Sequence, residues 1–225
     1  MVSFLPLGSS LVAGVFAVFV LNRWWGKKRI HHLAWGIGLI LFSVASLCEF
    51  LSEVNGWNVG MYKLYYAFAP TNVAVLGLGT VYLLRDTRIG NGMSLYVLAL
   101  FAVFVIMISL ASVNSTEFVA GVTVGGKAMP DNVRVFSYLF TIPGVLALIG
   151  GALYSWWKTR AGYNLLIAAG FLIIAGGGAM ARFSGPDLLY PTNLIGIVVV
   201  FPGFLNGVAV PSASRLTQAK TEARQ

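Results

Sequence analysis

The chain alternates long apolar runs with short polar stretches over nearly its whole length. A helix that crosses the hydrocarbon layer needs about 20 consecutive apolar residues. Seven runs approach or meet this requirement, at residues 5–21, 32–51, 59–84, 93–113, 135–157, 163–183 and 188–210. We predict that each run is a helix, because backbone groups in lipid must find hydrogen-bond partners within their own segment. The ten-residue alternation of membrane β-strands does not occur, so the expected fold is all-α, a polytopic protein with seven transmembrane helices.

Composition indicates that the bilayer is the solvent of this chain. Apolar residues make up 58% of the 225 residues and charged residues only 10%, whereas soluble domains carry roughly 25% charged residues. The mean hydropathy is +0.82, and a soluble monomer of this composition would expose large apolar patches. The formal net charge of +8 comes from short basic clusters between the apolar runs. This pattern is typical of orientation signals, and we expect lipid rather than nucleic acid as a partner.

The distribution of basic residues predicts which end of the bundle faces the cytoplasm. With seven spans, eleven of the 15 lysines and arginines fall on one side: Arg23, Lys27, Lys28, Arg29, Arg85, Arg88, Lys158, Arg160, Arg215, Lys220 and Arg224. The other side carries Lys63, Lys127, Arg134 and Arg182. Because cytoplasmic loops are enriched in Lys and Arg, we expect an outside N-terminus and a cytoplasmic tail at residues 212–225.

The single membrane domain, residues 1–211, carries signs of an internal repeat. The tripeptide Pro70-Thr71-Asn72 in the third span returns as Pro191-Thr192-Asn193 in the seventh. When the first three spans are laid over the last three, further matches are Trp24-Trp25 with Trp156-Trp157, Leu33 with Leu165, and Gly38 with Gly170. We predict two repeats, 5–84 and 135–210, which a linker helix at 93–113 makes parallel. Secondary transporters are often built from parallel repeats with a binding site where the repeats meet.

This layout resembles that of the SWEET and PQ-loop transporters, which have an outside N-terminus and two parallel three-helix bundles joined by one helix. Asn72 and Asn193 match the asparagine pair of the SWEET binding site. The chain departs from these families because it has no Pro-Gln motif and because its repeated prolines lie in spans three and seven. The resemblance implies a solute transporter. Segments 33–49 and 77–84 are also similar to uncharacterised seven-helix bacterial membrane proteins, which implies a prokaryotic plasma membrane.

Several polar residues lie deep in the predicted spans, where such residues normally face the protein interior or water. One face of span three combines tyrosines with an amide at helical spacing: Tyr62, Tyr65, Tyr66, Ala69, Asn72 and Val73. We predict one outward-opening polar pocket that binds a small polar solute, formed by Glu49, Lys63, Tyr66, Asn72, Tyr190 and Asn193.

Packing roles are the alternative for the same residues. Glu49 could pair with Lys63 or Arg182, and a buried ion pair by itself does not indicate function. Each asparagine could satisfy backbone carbonyls that the preceding proline leaves without a donor.

The sequence argues against several cofactor and catalytic sites. Span seven contains no lysine for a retinal Schiff base, and the chain's two histidines, His31 and His32, are adjacent, which disfavours a bis-histidine haem. The lone Cys48 and the absence of a metal-binding cluster disfavour a metal site. No serine in the spans has a histidine at its depth to activate it, and no aspartate pair lies within a span. We therefore expect no cofactor, no metal and no enzymatic activity.

Three functions remain open at this stage. The first is a small-solute transporter or binding protein, favoured by the paired Pro-Thr-Asn tripeptides. The second is an accessory or signalling subunit of a larger membrane assembly, with a membrane protein partner or a second copy of itself. The third, an enzyme acting on lipid or quinone, depends only on Glu49 and the tyrosines.

Two local patterns carry further expectations. Glycines 176–178, Gly203 and Gly207 predict close helix contacts in the last two spans. The long connection at 114–132, with Gly125-Gly126 after an apolar stretch, predicts a small hairpin. That segment would either cover the pocket as a lid or simply connect two helix ends.

Overall fold

The computed structural model describes residues 3–84, 87–118, 124–183 and 188–209, apart from the side chains of 181–183 and 207–209. These residues form helices and no strand, with one short 3-10 turn at Ser115–Glu117. The helices are α1 (Leu5–Lys27), α2 (Ile30–Asn55), α3 (Val59–Leu83), α4 (Thr87–Leu110), α5 (Asp131–Thr159), α6 (Tyr163–Phe183) and α7 (Leu189–Ala209). All seven are long and apolar enough to cross a membrane, so the described residues confirm the predicted helical class and the seven candidate spans.

Helices α1, α2 and α5 extend beyond the predicted apolar runs, and α4 begins and ends earlier than its run. α1 continues to Lys27 instead of ending at residue 21, and α5 begins at Asp131 instead of residue 135. Hydropathy identifies the part of a helix that faces hydrocarbon, whereas a helix ends where its terminal backbone groups find other partners. At the start of α3, for example, the Asn58 side chain accepts a hydrogen bond from the Met61 backbone N–H at 2.8 Å.

Six helices form a closed ring, and α4 lies outside it. α1 packs on α2, α2 on α3, α3 on α5, α5 on α6, α6 on α7, and α7 returns to α1. α4 packs only on the outer side of α3 and α5, and most of its surface is exposed apolar side chains such as Leu95, Leu98 and Leu110. A helix with such a surface is suited to contact lipid along most of its length.

A hydrogen bond from α4 compensates for a proline in α5. Pro143 has no N–H, so the Leu139 carbonyl one turn earlier lacks its usual partner within the helix. The Tyr96 hydroxyl of α4 donates a hydrogen bond to that carbonyl at 2.8 Å. The bond therefore attaches the peripheral helix to the ring and satisfies a backbone group that lipid could not.

Glycines bring neighbouring ring helices into backbone contact, as two examples show. A Cβ added to Gly144 of α5 would lie 2.6 Å from the Val73 carbonyl oxygen of α3. On the other side of the ring, a Cβ on Gly170 of α6 would lie 2.7 Å from the Gly196 carbonyl oxygen of α7. Close approach of this kind maximises van der Waals contact between membrane helices.

The glycine expectation for the last two spans is confirmed in part. Gly177 packs against Thr192, and Gly203 against the Tyr163 carbonyl and neighbouring side chains. Gly176 and Gly178, in contrast, have open space beside them. The contacts of Gly207 are not among the described ones.

Helices α1 and α5 end in the same way. Lys28 and Arg160 both adopt left-handed backbone conformations, with φ angles of 51° and 55°, and no other described non-glycine residue has a positive φ. The Lys28 N–H donates to the Trp24 carbonyl and the Arg160 N–H to the Trp156 carbonyl, each at 2.7 Å. Each basic side chain also lies over the ring of that tryptophan.

The connection between α4 and α5 packs against α3. Gly125 begins a turn and its carbonyl accepts a hydrogen bond from the Tyr62 hydroxyl at 2.8 Å, while Ala128 and Met129 are buried. The apolar half of the predicted hairpin, residues 119–123, lies outside the described residues. The described part of the connection supports the connector role, because it holds the ends of α3, α4 and α5 together.

We predict that Gly144→Ala destabilises the protein and that Gly150→Ala does not. The added methyl group at residue 144 would collide with the α3 backbone, whereas Gly150 has open space beside it on the same helix. Overpacking of this kind costs about 1–3 kcal/mol. Thermal unfolding of the purified variants in one detergent measures the difference. Equal melting temperatures for the two variants would contradict the tight α3–α5 contact.

Candidate functional site

A cavity of about 460 Å³ lies inside the ring, between α2, α3, α5, α6 and α7. Three of the predicted site residues line it: Glu49 from α2, Asn72 from α3 and Asn193 from α7. The remaining lining residues are mostly apolar, and they are Phe42, Ala45, Ser46, Tyr65, Ala69, Val73, Tyr138, Thr141, Ile142, Val145, Leu146, Ile174, Ala175, Gly178, Ala179 and Leu189. Ligand pockets typically have roughly this size and a mainly apolar wall with a few polar groups.

Glu49 is the acidic residue in the cavity wall. Only 3% of the residue is exposed, and its carboxyl lies within hydrogen-bonding reach of the Tyr65 hydroxyl. None of the described residues provides a cation for it, because the one ion pair they contain joins Arg134 to Asp131. A carboxylate in such a place is costly unless a counterion, a proton or a bound ligand compensates for the lost hydration.

Lys63 does not reach the cavity. Its Nζ donates a hydrogen bond to the Ser109 carbonyl oxygen at 3.0 Å, in the last turn of α4. Helix carbonyls in the last turn have no N–H partner within the helix and attract cations. Position 63 also lies about 200° around the helix from position 65, at 100° per residue, so Lys63 points away from the face that carries Tyr65. The expected pairing of Glu49 with Lys63 is therefore wrong, and the Arg182 side chain lies outside the described residues.

The two predicted tyrosines lie beside the cavity but do not line it. The Tyr66 hydroxyl is 2.7 Å from the Ser137 hydroxyl of α5, and its ring packs among aromatic residues between α3 and α4. The Tyr190 hydroxyl donates to Glu53 Oε1 at 3.2 Å. The tyrosine stripe of α3 is thus divided, with Tyr65 on the cavity side and Tyr62 and Tyr66 on the side of α4 and α5.

The two asparagines differ in their hydrogen bonds. The Asn72 Nδ2 atom donates to the Ala69 carbonyl at 2.7 Å and to the Phe68 carbonyl at 3.3 Å. These carbonyls precede Pro70, although the one that the proline directly leaves without a donor is that of Tyr66. The packing role foreseen for this asparagine is therefore partly correct, since its amide nitrogen serves the backbone of α3.

Asn193 makes no hydrogen bond with any described residue, although it lines the cavity. The reason is the position of its proline. Pro191 lies in the first turn of α7, where the backbone N–H would have no partner in any case, so no carbonyl within α7 is left to satisfy. The Asn193 amide is consequently available to a molecule in the cavity.

Sequence reasoning missed several polar residues of the site. The sequence predicts Tyr65 for the stripe of α3 but not for the pocket. It gives no role to Glu53, which lies in α2 four residues after Glu49 and accepts a hydrogen bond from Tyr190 beside the cavity. The i, i+4 spacing of the two glutamates puts them on one helix face, which is a signal that could have been used. Tyr138 and Thr141 of α5 carried no such signal, because nothing in the sequence shows which helix closes the cavity.

The arrangement suits a ligand with both polar and apolar parts. Glu49, Asn72 and Asn193 offer hydrogen-bond acceptors and one amide donor that no described residue occupies, while the α5 and α6 walls are largely aliphatic. Among the described residues, no three His, Cys, Asp or Glu side chains come together in a way that could hold a metal ion.

We predict that Asn72→Ala lowers stability and that Asn193→Ala does not. The first substitution removes two side-chain hydrogen bonds to the α3 backbone, each of which contributes about 0.5–1.5 kcal/mol. The second removes no bond to a described residue. Thermal unfolding of the two ligand-free variants in the same detergent provides the comparison. A larger loss for Asn193→Ala than for Asn72→Ala would show that their roles are reversed.

Comparison with known proteins leaves the geometry of the cavity as the basis for a functional conclusion. No protein-family model, no curated protein and no solved structure matches this chain.

Proposed function

We propose that the protein binds a small organic solute in the cavity and transports it across the membrane. The observation that carries this proposal is the convergence of Glu49, Asn72 and Asn193, from three different helices, on one cavity of about 460 Å³. Each of these side chains has a polar atom that no described residue occupies. A ligand with complementary groups would make the hydrogen bonds that are missing in the empty cavity.

The ends of α1 and α5 support the proposed internal repeat. Lys28 and Arg160 are separated by 132 residues, which is also the separation of Trp24 from Trp156. The two positions share the left-handed conformation, the hydrogen bond to the tryptophan carbonyl and the cation over the tryptophan ring. Left-handed backbone is uncommon for residues other than glycine, so this agreement supports a common origin better than the short sequence matches do.

The order of helix contacts also supports two parallel triplets. If α1, α2 and α3 correspond to α5, α6 and α7, then the contact of α3 with α5 corresponds to the contact of α7 with α1. An exchange of the two triplets would leave the ring unchanged. Carriers built in this way move one repeat against the other around a site between them, and the proposed mechanism for this protein is the same.

The distribution of charge supports an outward-opening cavity in the plasma membrane, with the N-terminus outside. Glu49 is near the end of α2, and Asn193 is near the start of α7, both far from the basic ends of α1 and α5. If the basic ends face the cytoplasm, these residues lie in the outer half of the bilayer.

A labelling experiment tests this orientation. In a Cys48→Ala background, which removes the chain's one cysteine, we expect a membrane-impermeant maleimide to label Ser115→Cys in intact cells but not Arg88→Cys. Both positions are exposed in the structure and lie at opposite ends of the bundle. Labelling of Arg88→Cys but not Ser115→Cys would reverse the orientation, and lysed cells provide the control for reactivity.

Native mass spectrometry of protein extracted gently from its own membrane tests the binding function. We expect a small noncovalent adduct on the wild-type chain that is weakened about ten-fold in Asn193→Ala, as the loss of roughly one well-made hydrogen bond would predict. Asn206→Ala is the matched control, because Asn206 is exposed on the same helix and lies outside the cavity. A protein partner in fixed ratio, without a small ligand, would instead favour an accessory or signalling subunit.

A further inference from the structure

The cavity inside the ring also opens to the side of the bundle. Tyr138, Ile142 and Leu146 follow one another at single turns along α5, and all three line the cavity. They are nevertheless 42%, 57% and 68% exposed. Exposures this large, for side chains that also line the cavity, indicate that the three residues lie at the edge of its wall, between the cavity and the outside of the bundle. Ala179 of α6, across the same gap, is also exposed.

The interruption lies at membrane depth. Ile142 and Leu146 are near the middle of α5, which extends from Asp131 to Thr159. At 1.5 Å per residue, Leu146 is more than 20 Å from the first residue of the helix and roughly the same distance from the last. The gap between α5 and α6 therefore faces hydrocarbon rather than water.

The glycine contacts leave α5 and α6 without a close backbone approach at this place. The glycines of α5 that touch another helix, Gly144 and Gly151, both face α3. Those of α6, Gly170 and Gly177, both face α7. Because α5 is held to α3 and α6 is held to α7, no close backbone contact draws α5 and α6 together.

The corresponding position in the first triplet is closed. Ser10 of α1 and Ser43 of α2 are hydrogen-bonded across their helix pair, with the Ser43 hydroxyl donating to the Ser10 carbonyl at 2.8 Å. The separation of 132 residues that aligns the two triplets relates Ser10 to Ile142 and Ser43 to Ala175. These aliphatic residues line the cavity at the gap and cannot form such a bond. The opening is thus a specific difference between the two halves.

We propose that the ligand is a membrane-dissolved amphiphile with a cationic head group, and that it enters the cavity sideways between α5 and α6. Its head group lies at Glu49, and its aliphatic chain extends along the apolar wall formed by Ile142, Val145 and Leu146. This inference rests on the proposed binding function and adds the ligand class and its route.

The charge of the site selects the head group. Glu49 is a buried acid for which no described residue supplies a cation, and the second acid, Glu53, lies one turn away on the same helix. An amine would supply both the missing positive charge and hydrogen-bond donors. Tyr65 and Tyr138 add aromatic rings to the wall, and aromatic faces also attract cations.

Photo-crosslinking in phosphatidylcholine nanodiscs tests the route. The probe is hexadecylamine with a diazirine in its alkyl chain, and labelled peptides are identified by mass spectrometry. We expect labels on α5 and α6 beside the cavity in the wild-type chain. Gly178→Leu should reduce this labelling about ten-fold, because Gly178 lines the cavity and an added side chain there meets open space. Gly176→Leu is the matched control, since it has equal room on the same helix but lies outside the cavity lining.

Probes with other head groups test the ligand class. Hexadecanol and palmitic acid with the same diazirine should label the cavity about ten-fold less than the amine does. Glu49→Gln should remove this preference, because one charge-assisted hydrogen bond contributes about ten-fold in affinity. Equal or stronger labelling by the acid in the wild-type chain would overturn the cationic head group. If Glu49→Gln does not fold, the comparison of the three probes on the wild-type chain still shows whether the cavity prefers a cationic head group.

The two proposals fail in different ways. Absence of cavity labelling by every lipid probe, together with a water-soluble adduct in native mass spectrometry that Asn193→Ala weakens, would overturn the lateral route and leave solute binding intact. Absence of both would overturn both. Equal labelling of the Gly178→Leu and Gly176→Leu variants would show that the probe binds the outer surface and does not enter between α5 and α6.

Discussion

The requirement that every backbone polar group be satisfied without water underlies the whole structure. It makes all seven apolar runs helical, and it determines what must happen wherever a proline interrupts a helix. At Pro143 the missing bond is compensated by Tyr96 from α4. Near Pro70, Thr71 and Asn72 donate to carbonyls of the preceding turn. At Pro143 a side chain from a neighbouring helix thus meets the need that the proline creates, and it also fixes the position of α4.

Close packing determines where the ring is tight and where it is open. Without a hydrophobic driving force between helices in lipid, small residues decide which helices approach most closely. In this chain they join α2 to α3, α3 to α5 and α6 to α7. The space that remains between these pairs is the cavity, and the same distribution of glycines leaves its wall incomplete between α5 and α6. The cavity and its side opening are consequences of one packing pattern.

The buried acid gives the cavity its chemical character. Glu49 lines the cavity together with mainly aliphatic and aromatic side chains and with Asn72 and Asn193. Lys63, which could have neutralised it, is bonded to the end of α4 instead. The fold thus places a carboxyl group in an apolar environment where no described residue pairs with it. Burial of such a group costs free energy, and a binding function would explain why the protein retains it.

The sequence by itself determined the helical class of the fold, the seven apolar helices and the position of each polar residue along its helix, because hydropathy and helical rise depend only on local order along the chain. It also predicted that Glu49, Asn72 and Asn193 would meet, since their depths agree. It could not decide which direction each side chain faces, so Lys63 and Tyr66 were assigned to the pocket although they contact α4 and α5. Only the tertiary structure decided the direction of each side chain. It also decided how the ring closes and where it opens between α5 and α6, because both depend on which glycine faces which neighbouring helix.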